Sequence, residues 1–256
     1  MTEFRFIRYA DEGEVARITL ARPPLNILTI EMMSELGTAL ELAGAERRRK
    51  VVLLRAEGKA FSAGVAIEDH LGDRVKPMLE AFHAIFHQLR ALPCLSLAAV
   101  QGKALGGGAE LATFCDIVVA SHAASFGQPE VKVGVFPPIA ALHYPLRVGA
   151  ARALRLLVSG EVIDAVEAER IGLVDRVVAR DALDSAVESE LAGLRSSSAA
   201  VLRLTKRAVR ESLGLTFEQG LAALEDLYQY ELMTTADAQE GLRAFVEKRK
   251  PVWQDR

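Results

Sequence analysis

Residues 101–138 read QGKALGGGAELATFCDIVVASHAASFGQPEVKVGVFPP, and the order of features in this stretch decides the fold class. The apolar run Leu95 to Val100 just ahead of it reads as a buried strand. Gly106, Gly107 and Gly108 interrupt the pattern, Ala109 to Phe114 reads as helix, and Ile117 to Ala120 reads as another buried strand. Strand and helix in alternation specify an α/β chain. A strand that ends in a glycine turn at a helix N-terminus also presents backbone N–H groups where no side chain blocks approach. Such a point suits an anion or a developing oxyanion, although three glycines alone are equally what a plain tight turn uses.

Glu110 lies two residues past the last glycine, and Glu130 follows twenty residues later in FGQPE. A carboxylate in a first helical turn is favoured by the helix dipole, so a solvated helix start is one reading of Glu110. Its neighbours Ala109, Leu111, Ala112 and Phe114 point the other way, as do Phe126, Pro129, Val131 and Val133 around Glu130. Carboxylates in apolar surroundings have raised pKa values, which suits proton transfer near neutral pH. Upstream, Lys59-Ala60-Phe61-Ser62-Ala63-Gly64-Val65 follows the strand Val51 to Ala56 and forms a second small-residue turn. Two such turns can supply the two N–H donors that an enolate oxygen needs.

With these residues in view, the sequence resembles the crotonase (enoyl-CoA hydratase/isomerase) superfamily from about Val15 to the C-terminus. The matching motifs are FSAGV at 61–65, GGGAELATFCD at 106–116, FGQPEVKVGVFP at 126–137, SGEVIDAVEAERIGLVDRVV at 159–178 and EGLRAFVEKRK at 240–250. Within that superfamily the chain is most similar to the cyclohexa-1,5-diene-1-carbonyl-CoA hydratases, through PPLNILTIEMM at 23–33, FSAGVAIEDH at 61–70, MLEAFHAIF at 78–86 and QPEVKVGVFPP at 128–138. The resemblance implies a spiral of ββα units over residues 1–195 carrying a CoA-thioester site. It further implies a helical C-terminal region, 196–256, that mediates assembly into a homotrimer or a hexamer built from two trimers. It implies oxyanion donors at the amides of Val65 and Gly107 and catalytic carboxyls at Glu110 and Glu130. Coenzyme A contacts are implied at the Ala63 carbonyl and near Phe245 and Lys248, the last across a subunit interface. His70 is a further candidate for the acyl group, against the reading of a solvent-facing loop histidine. The implied substrate is an acyl-CoA thioester, with no metal and no cofactor beyond the coenzyme A of the substrate. The chain departs from the commoner hydratase pattern at Ala66 and Glu68, where Asp and often Lys stand, and at Pro137 to Leu142, where a glycine-rich segment is usual. The bulkier residues at 137–142 are expected to reshape the acyl pocket toward a ring-shaped group.

The chain has 256 residues, enough for a substantial core, and a net charge of −3, which leaves no electrostatic footprint for nucleic acid. The exception is Arg47-Arg48-Arg49-Lys50, read as a solvated turn, with a phosphate or RNA contact as the alternative because some members of the resembled family bind RNA. Cys94 and Cys115 sit in apolar sequence and fit buried thiols in a reducing compartment. No N-terminal stretch resembles a signal peptide and no apolar run reaches membrane-spanning length, so the expected place is the cytoplasm, away from membranes.

In the rest of the chain, Phe4 to Tyr9 and Val15 to Leu20 read as a hairpin about Glu12-Gly13, and Thr29 reads as the N-cap of a helix bearing Ile30, Met33, Leu36, Leu40 and Ala43. Asn26 reads as a turn residue or a ligand contact. Residues 66–74 read as an irregular, mobile lip. His83 and His87 stand at i, i+4 on an amphipathic helix from Val75 to Leu89, without a third candidate metal ligand. From Asp181 onward helix follows helix: 182–194, 198–213, 217–234 and 236–248.

Overall fold

The computed structural model describes residues 4–256; residues 1–3 of the expected core segment lie outside the described residues. Two sheets organise the fold. The larger has the order β1 (Ile7–Asp11), β2 (Val15–Leu20), β3 (Val51–Ala56), β5 (Leu95–Val100), β7 (Ile117–Ser121) and β10 (Arg176–Val178). The smaller has the order β4 (Ala60–Ser62), β6 (Lys103–Leu105), β8 (Ser125–Gly127) and β9 (Val162–Asp164). β1 and β2 are the expected hairpin, with Ile7 opposite Leu20 and Asp11 opposite Ala16, and the remaining pairs of the large sheet are parallel.

Three of the long strands, β3, β5 and β7, are each followed by a short one in the second sheet and then by helical structure. β3 and β4 lead to α2 (Val75–Ala91), β5 and β6 to α3 (Gly107–Thr113), and β7 and β8 to α4 (Pro138–Val148) and α5 (Ala150–Ser159). The central strands are predominantly apolar because both faces are covered. Val51, Leu53, Leu97, Ala99 and Val119 turn toward Leu183, Ala186, Val187 and Leu191 of α7 (Leu183–Arg195). Their alternates Val52, Leu54, Ala98, Val100, Val118 and Ala120 join the main core under α1 (Ile30–Ala45) and α2. Period-two alternation therefore sends one strand into two cores.

Thr29 caps α1 as expected, its hydroxyl accepting the Met32 N–H at 3.4 Å. The expected irregular lip is instead two 3-10 turns, Ile67–His70 and Gly72–Arg74. They are held because buried Asp69 accepts the Ile30 N–H at 3.2 Å and pairs with Arg74. Asn26 is a turn residue: its amide donates to the Glu57 and Ala60 carbonyls and its Oδ1 accepts the Arg22 N–H. α6 (Ala165–Arg170) starts at the Asp164 cap, ahead of β10.

The solvated reading of Arg47 to Lys50 is corrected in its second half. Arg49 is 1% exposed and Lys50 3% exposed. Asp11 takes Arg49 through two N–H groups at 2.9 Å, and Glu14 takes Lys50 at 2.7 Å. The hairpin thus brings two acids over two basic residues that the linear sequence leaves unpaired.

Helices α8 (Ala199–Ser212), α9 (Phe217–Asp226) and α10 (Ala236–Val246) close the chain. The expected single helix over 217–234 is divided, with a π-helical turn at Leu227–Glu231 and a 3-10 turn at Leu232–Thr234. Arg207 of α8 grips the Glu231 carboxylate in this widened turn through two N–H groups at 2.5 and 2.6 Å. α8 is fastened beneath the large sheet by buried Lys206, whose Nζ donates to the Cys94 carbonyl at 2.6 Å and to Asp116 at 2.8 Å. No helix of the described residues is long and apolar enough to cross a membrane.

Candidate active site

β4 and β6 run parallel, with Ala60 beside Lys103 and Ser62 beside Ala104, so the turns that follow them emerge side by side. Gly64 has φ +106° and Gly106 has φ +51°, both in the region open to glycine. A Cβ on Gly64 would lie 3.1 Å from the Leu105 carbonyl oxygen and 3.6 Å from the Gly107 nitrogen, which measures how closely the two turns approach. Leu28 holds the first turn: its N–H donates to the Gly64 carbonyl and its carbonyl accepts the Ala66 N–H, each at 2.9 Å. Successive amides of an extended segment point to opposite sides, so Val65 N–H faces away from Leu28. Gly107 N–H is the first of α3 and has no intrahelical acceptor. Among the described residues no backbone carbonyl accepts from either amide.

One turn into α3, Glu110 is 2% exposed. Its Oε1 accepts the Ala140 N–H at 2.7 Å, from the first turn of α4. Burial pushes the Glu110 carboxyl up to about 8; the amides of Ala140 and Ile139 pull against this, and the charge of Glu130 adds to it. Glu130 stands on the 3-10 turn Pro129–Val133 that follows β8. β8 pairs with β6, and Gly106 N–H donates to the Gly127 carbonyl at 2.9 Å, which draws that turn against the glycines. A Cβ on Gly106 would stand 2.5 Å from Glu130 Oε1. Burial raises the Glu130 pKa as well, with its own backbone N–H and His70 acting the other way.

The structure thus brings two unpartnered amides and two proton-hungry carboxyls to one place. Residues 10–256 match the family described as enoyl-CoA hydratase/isomerase. The chain belongs to that family. It is 40% identical to the cyclohexa-1,5-dienecarbonyl-CoA hydratase of Thauera aromatica over 96% of this chain and 95% of that one. It is 41% identical to a probable enoyl-CoA hydratase of Rhizobium meliloti over 96% of each. The crystal structure of an enoyl-CoA hydratase from Mycobacterium smegmatis superposes with a TM-score of 0.92 at 29% identity, covering 98% of this chain and 99% of that one. The α/β spiral expected from the motifs is therefore the fold of this family member.

Val65, Gly107, Glu110 and Glu130 lie on neighbouring turns around the two glycine segments. Ala63 lies on the first turn, its N–H held by the Leu25 carbonyl at 2.9 Å. His70 is half-buried and lies within electrostatic reach of Glu130. Its Nδ1 lies 2.9 Å from the Ala66 carbonyl, and because a carbonyl only accepts, that nitrogen carries the proton. Phe245 and Lys248 stand apart. α10 packs on α8 and on the turn Leu232–Thr234, where Phe245 is 85% exposed and Lys248 is exposed.

Sequence reasoning missed three contributors. The Ala140 amide was hidden because a backbone donor carries no side-chain signature; the expectation for 137–142 concerned pocket shape, while the helix start also feeds Glu110. Gln128 and Tyr144 are the others, each 1% exposed and joined at 2.8 Å beside Glu130. The QPE triplet holds Gln128 in plain sight, but nothing in the linear sequence pairs it with a tyrosine sixteen residues on. Burial pushes the thiols of Cys94 and Cys115 up, to about 11 and about 12, so neither is poised as a nucleophile. Among the described residues no three His, Cys, Asp or Glu side chains are grouped to hold a metal, His83 and His87 included.

Proposed function

We propose that this protein is a hydro-lyase that adds water to an α,β-unsaturated acyl-CoA, with cyclohexa-1,5-diene-1-carbonyl-CoA as the favoured substrate and 6-hydroxycyclohex-1-ene-1-carbonyl-CoA as product, a step suited to anaerobic degradation of aromatic compounds. The observation that carries the reading is a buried and a half-buried carboxyl, both with raised pKa, beside two amides with no backbone acceptor. The thioester carbonyl accepts from Val65 N–H and Gly107 N–H, each donor contributing about 3–4 kcal/mol to the enolate-like transition state. Glu110 takes a proton from water, the hydroxyl bonds to the β-carbon, and Glu130 delivers a proton to the far end of the diene. Return of the proton from Glu110 to Glu130 resets the pair, so one water is consumed and both acids end as they began. No cofactor beyond coenzyme A enters this scheme.

The Ala63 carbonyl and His70 line the acyl and pantetheine path. Exposed Phe245 and Lys248 serve the nucleotide end of coenzyme A from a neighbouring subunit, with residues 196–256 forming the contacts of a homotrimer or hexamer. The expected setting is the cytoplasm. A short-chain enoyl-CoA hydratase or isomerase is the second reading, favoured by the 41% identity to the Rhizobium meliloti protein. Incubation with crotonyl-CoA and with the cyclic dienoyl-CoA, following loss of the conjugated chromophore, separates them. Faster turnover of the dienoyl thioester supports the first, and preference for crotonyl-CoA replaces it with the second.

A further inference from the structure

The end of the large sheet opposite the acids carries a second cavity. At their C-terminal ends β3, β5 and β7 lead, through β4, β6 and β8, to the two glycine turns and to Glu130. At the other end, Arg47 precedes β3, Leu92 and Pro93 precede β5, and Asp116 precedes β7. Lys206 fastens α8 at these strand starts, and a cleft of about 930 Å³ opens between α8, Arg47, the Arg90 to Pro93 loop, the turns over 230–235 and Arg256. A six-residue strand spans about 20 Å, so this cleft and the paired acids are separate places.

The charge lining the cleft is unbalanced. Arg207 is paired with Glu231 and Glu211, and Lys206 and Arg210 share Asp116. Arg47, Arg90, Arg203 and Arg256 line it too, and among the described residues no carboxylate side chain pairs with any of these four. Arg203 donates to the Arg47 and Asp255 carbonyls and Arg256 donates to the Gln254 side-chain oxygen, partners that orient a guanidinium without cancelling its charge. Arg47 and Arg90 are exposed, and among the described residues their guanidinium groups have no hydrogen-bond partner at all. A guanidinium stays charged at every physiological pH. Four uncompensated cations around one cavity, in a protein whose net charge is −3, make a local positive field that a bound anion would relieve.

The four arginines come from four separate segments of the chain, so a small monoanion reaches only one or two of them. Several phosphates in a row reach more, and each phosphate suits the planar fork of a guanidinium. The volume is that of a small-molecule site. Leu92, Leu204 and Tyr230 add an apolar wall. Tyr230 is 65% exposed and stands on the π-helical turn Leu227–Glu231, a kind of widened turn that recurs at functional sites. We propose that this cleft is a binding site for an oligophosphate of nucleotide size, distinct from the thioester site. A free nucleoside triphosphate and the nucleotide end of coenzyme A share that chemistry.

The test is isothermal titration calorimetry of the intact protein with ATP, inorganic pyrophosphate and coenzyme A, without magnesium so that each ligand keeps its full charge. ATP binds at one site per chain, and pyrophosphate competes with it. Arg47→Gln and Arg90→Gln remove no side-chain contact among the described residues; each weakens ATP binding about five- to tenfold and leaves turnover of enoyl thioesters unchanged. Arg48→Gln deletes the same charge from an exposed neighbour that does not line the cleft, and ATP binding is retained. Failure of ATP and pyrophosphate to bind, binding that survives the Arg47→Gln/Arg90→Gln double variant, or an equal loss in Arg48→Gln overturns the proposal. If the double variant weakens ATP and leaves coenzyme A binding as it was, the occupant is a free nucleotide. If it also abolishes a second coenzyme A per chain, the occupant is the coenzyme's nucleotide end.

Discussion

Ala140 donates its backbone N–H to Glu110 Oε1 across 2.7 Å, so a residue without a functional side chain governs the most deeply buried acid of the site. Ala140→Pro deletes that donor at a first-turn position where the proline φ is acceptable. A hydrogen bond to a charged group contributes about 1.5–3 kcal/mol, so the ionised form of Glu110 loses that support. Its pKa climbs above about 8. The acid-side limb of the pH–rate profile moves up, and kcat at pH 7 falls at least about tenfold. Ala140→Gly keeps the donor and serves as control; superimposable profiles for the proline and glycine variants would remove the amide from its role.

Glu110→Gln and Glu130→Gln each lower kcat for hydration by a factor on the order of 10²–10⁴. Because the two carboxyls feel one another's charge, the double variant falls by less than the product of the single effects. Stopped-flow measurement of chromophore loss under saturating thioester checks this. Near-normal turnover by either single variant takes that residue out of the chemistry.

How much of this site could be read from the sequence follows from how local each signal is. The glycine turns and both glutamates were legible because strand, turn and helix lie within a dozen residues of one another and the apolar neighbours of each acid are adjacent in the chain. Arg49 was misread because its partner Asp11 is 38 residues upstream, and a basic run looks solvated until a hairpin folds over it. Gln128 and Tyr144 escaped for a similar reason. Their pairing depends on β8 and α4 converging behind the acids, and a buried glutamine or tyrosine alone is ordinary core. Phe245 and Lys248 came from resemblance, and within one chain they lie away from the cluster.

Gly106→Ala acts on two things at once. The backbone there has φ +51° and ψ −130°, a sparsely populated conformation that costs an L-residue about 1–3 kcal/mol, and the new methyl would stand 2.5 Å from Glu130 Oε1. Glu130 must move, so kcat falls along with stability. Gly13→Ala supplies the comparison: its φ is +71° but nothing lies within 4 Å of the new methyl. That variant loses a similar amount of stability in urea titrations and keeps full activity. Equal kinetic losses in the two would mean that Glu130 is not displaced.

Glu110 also sets a pH dependence of stability whose sign is opposite to that of a paired surface carboxylate. Its folded-state pKa of about 8 lies above the ordinary glutamate value of 4.5, so between those limits the native chain holds a proton that the unfolded chain has released. The stabilisation is complete below pH 4.5 and drains away as pH rises through 8, at up to about 1.4 kcal/mol per unit. Glu110→Gln carries no such proton. In urea titrations at pH 5, 6, 7 and 8 the variant should therefore gain on the wild type at each step, even if it begins less stable at pH 5. A stability difference that stays flat across this range would place Glu110 in an ionised, solvated setting and remove the raised pKa from the account of proton transfer.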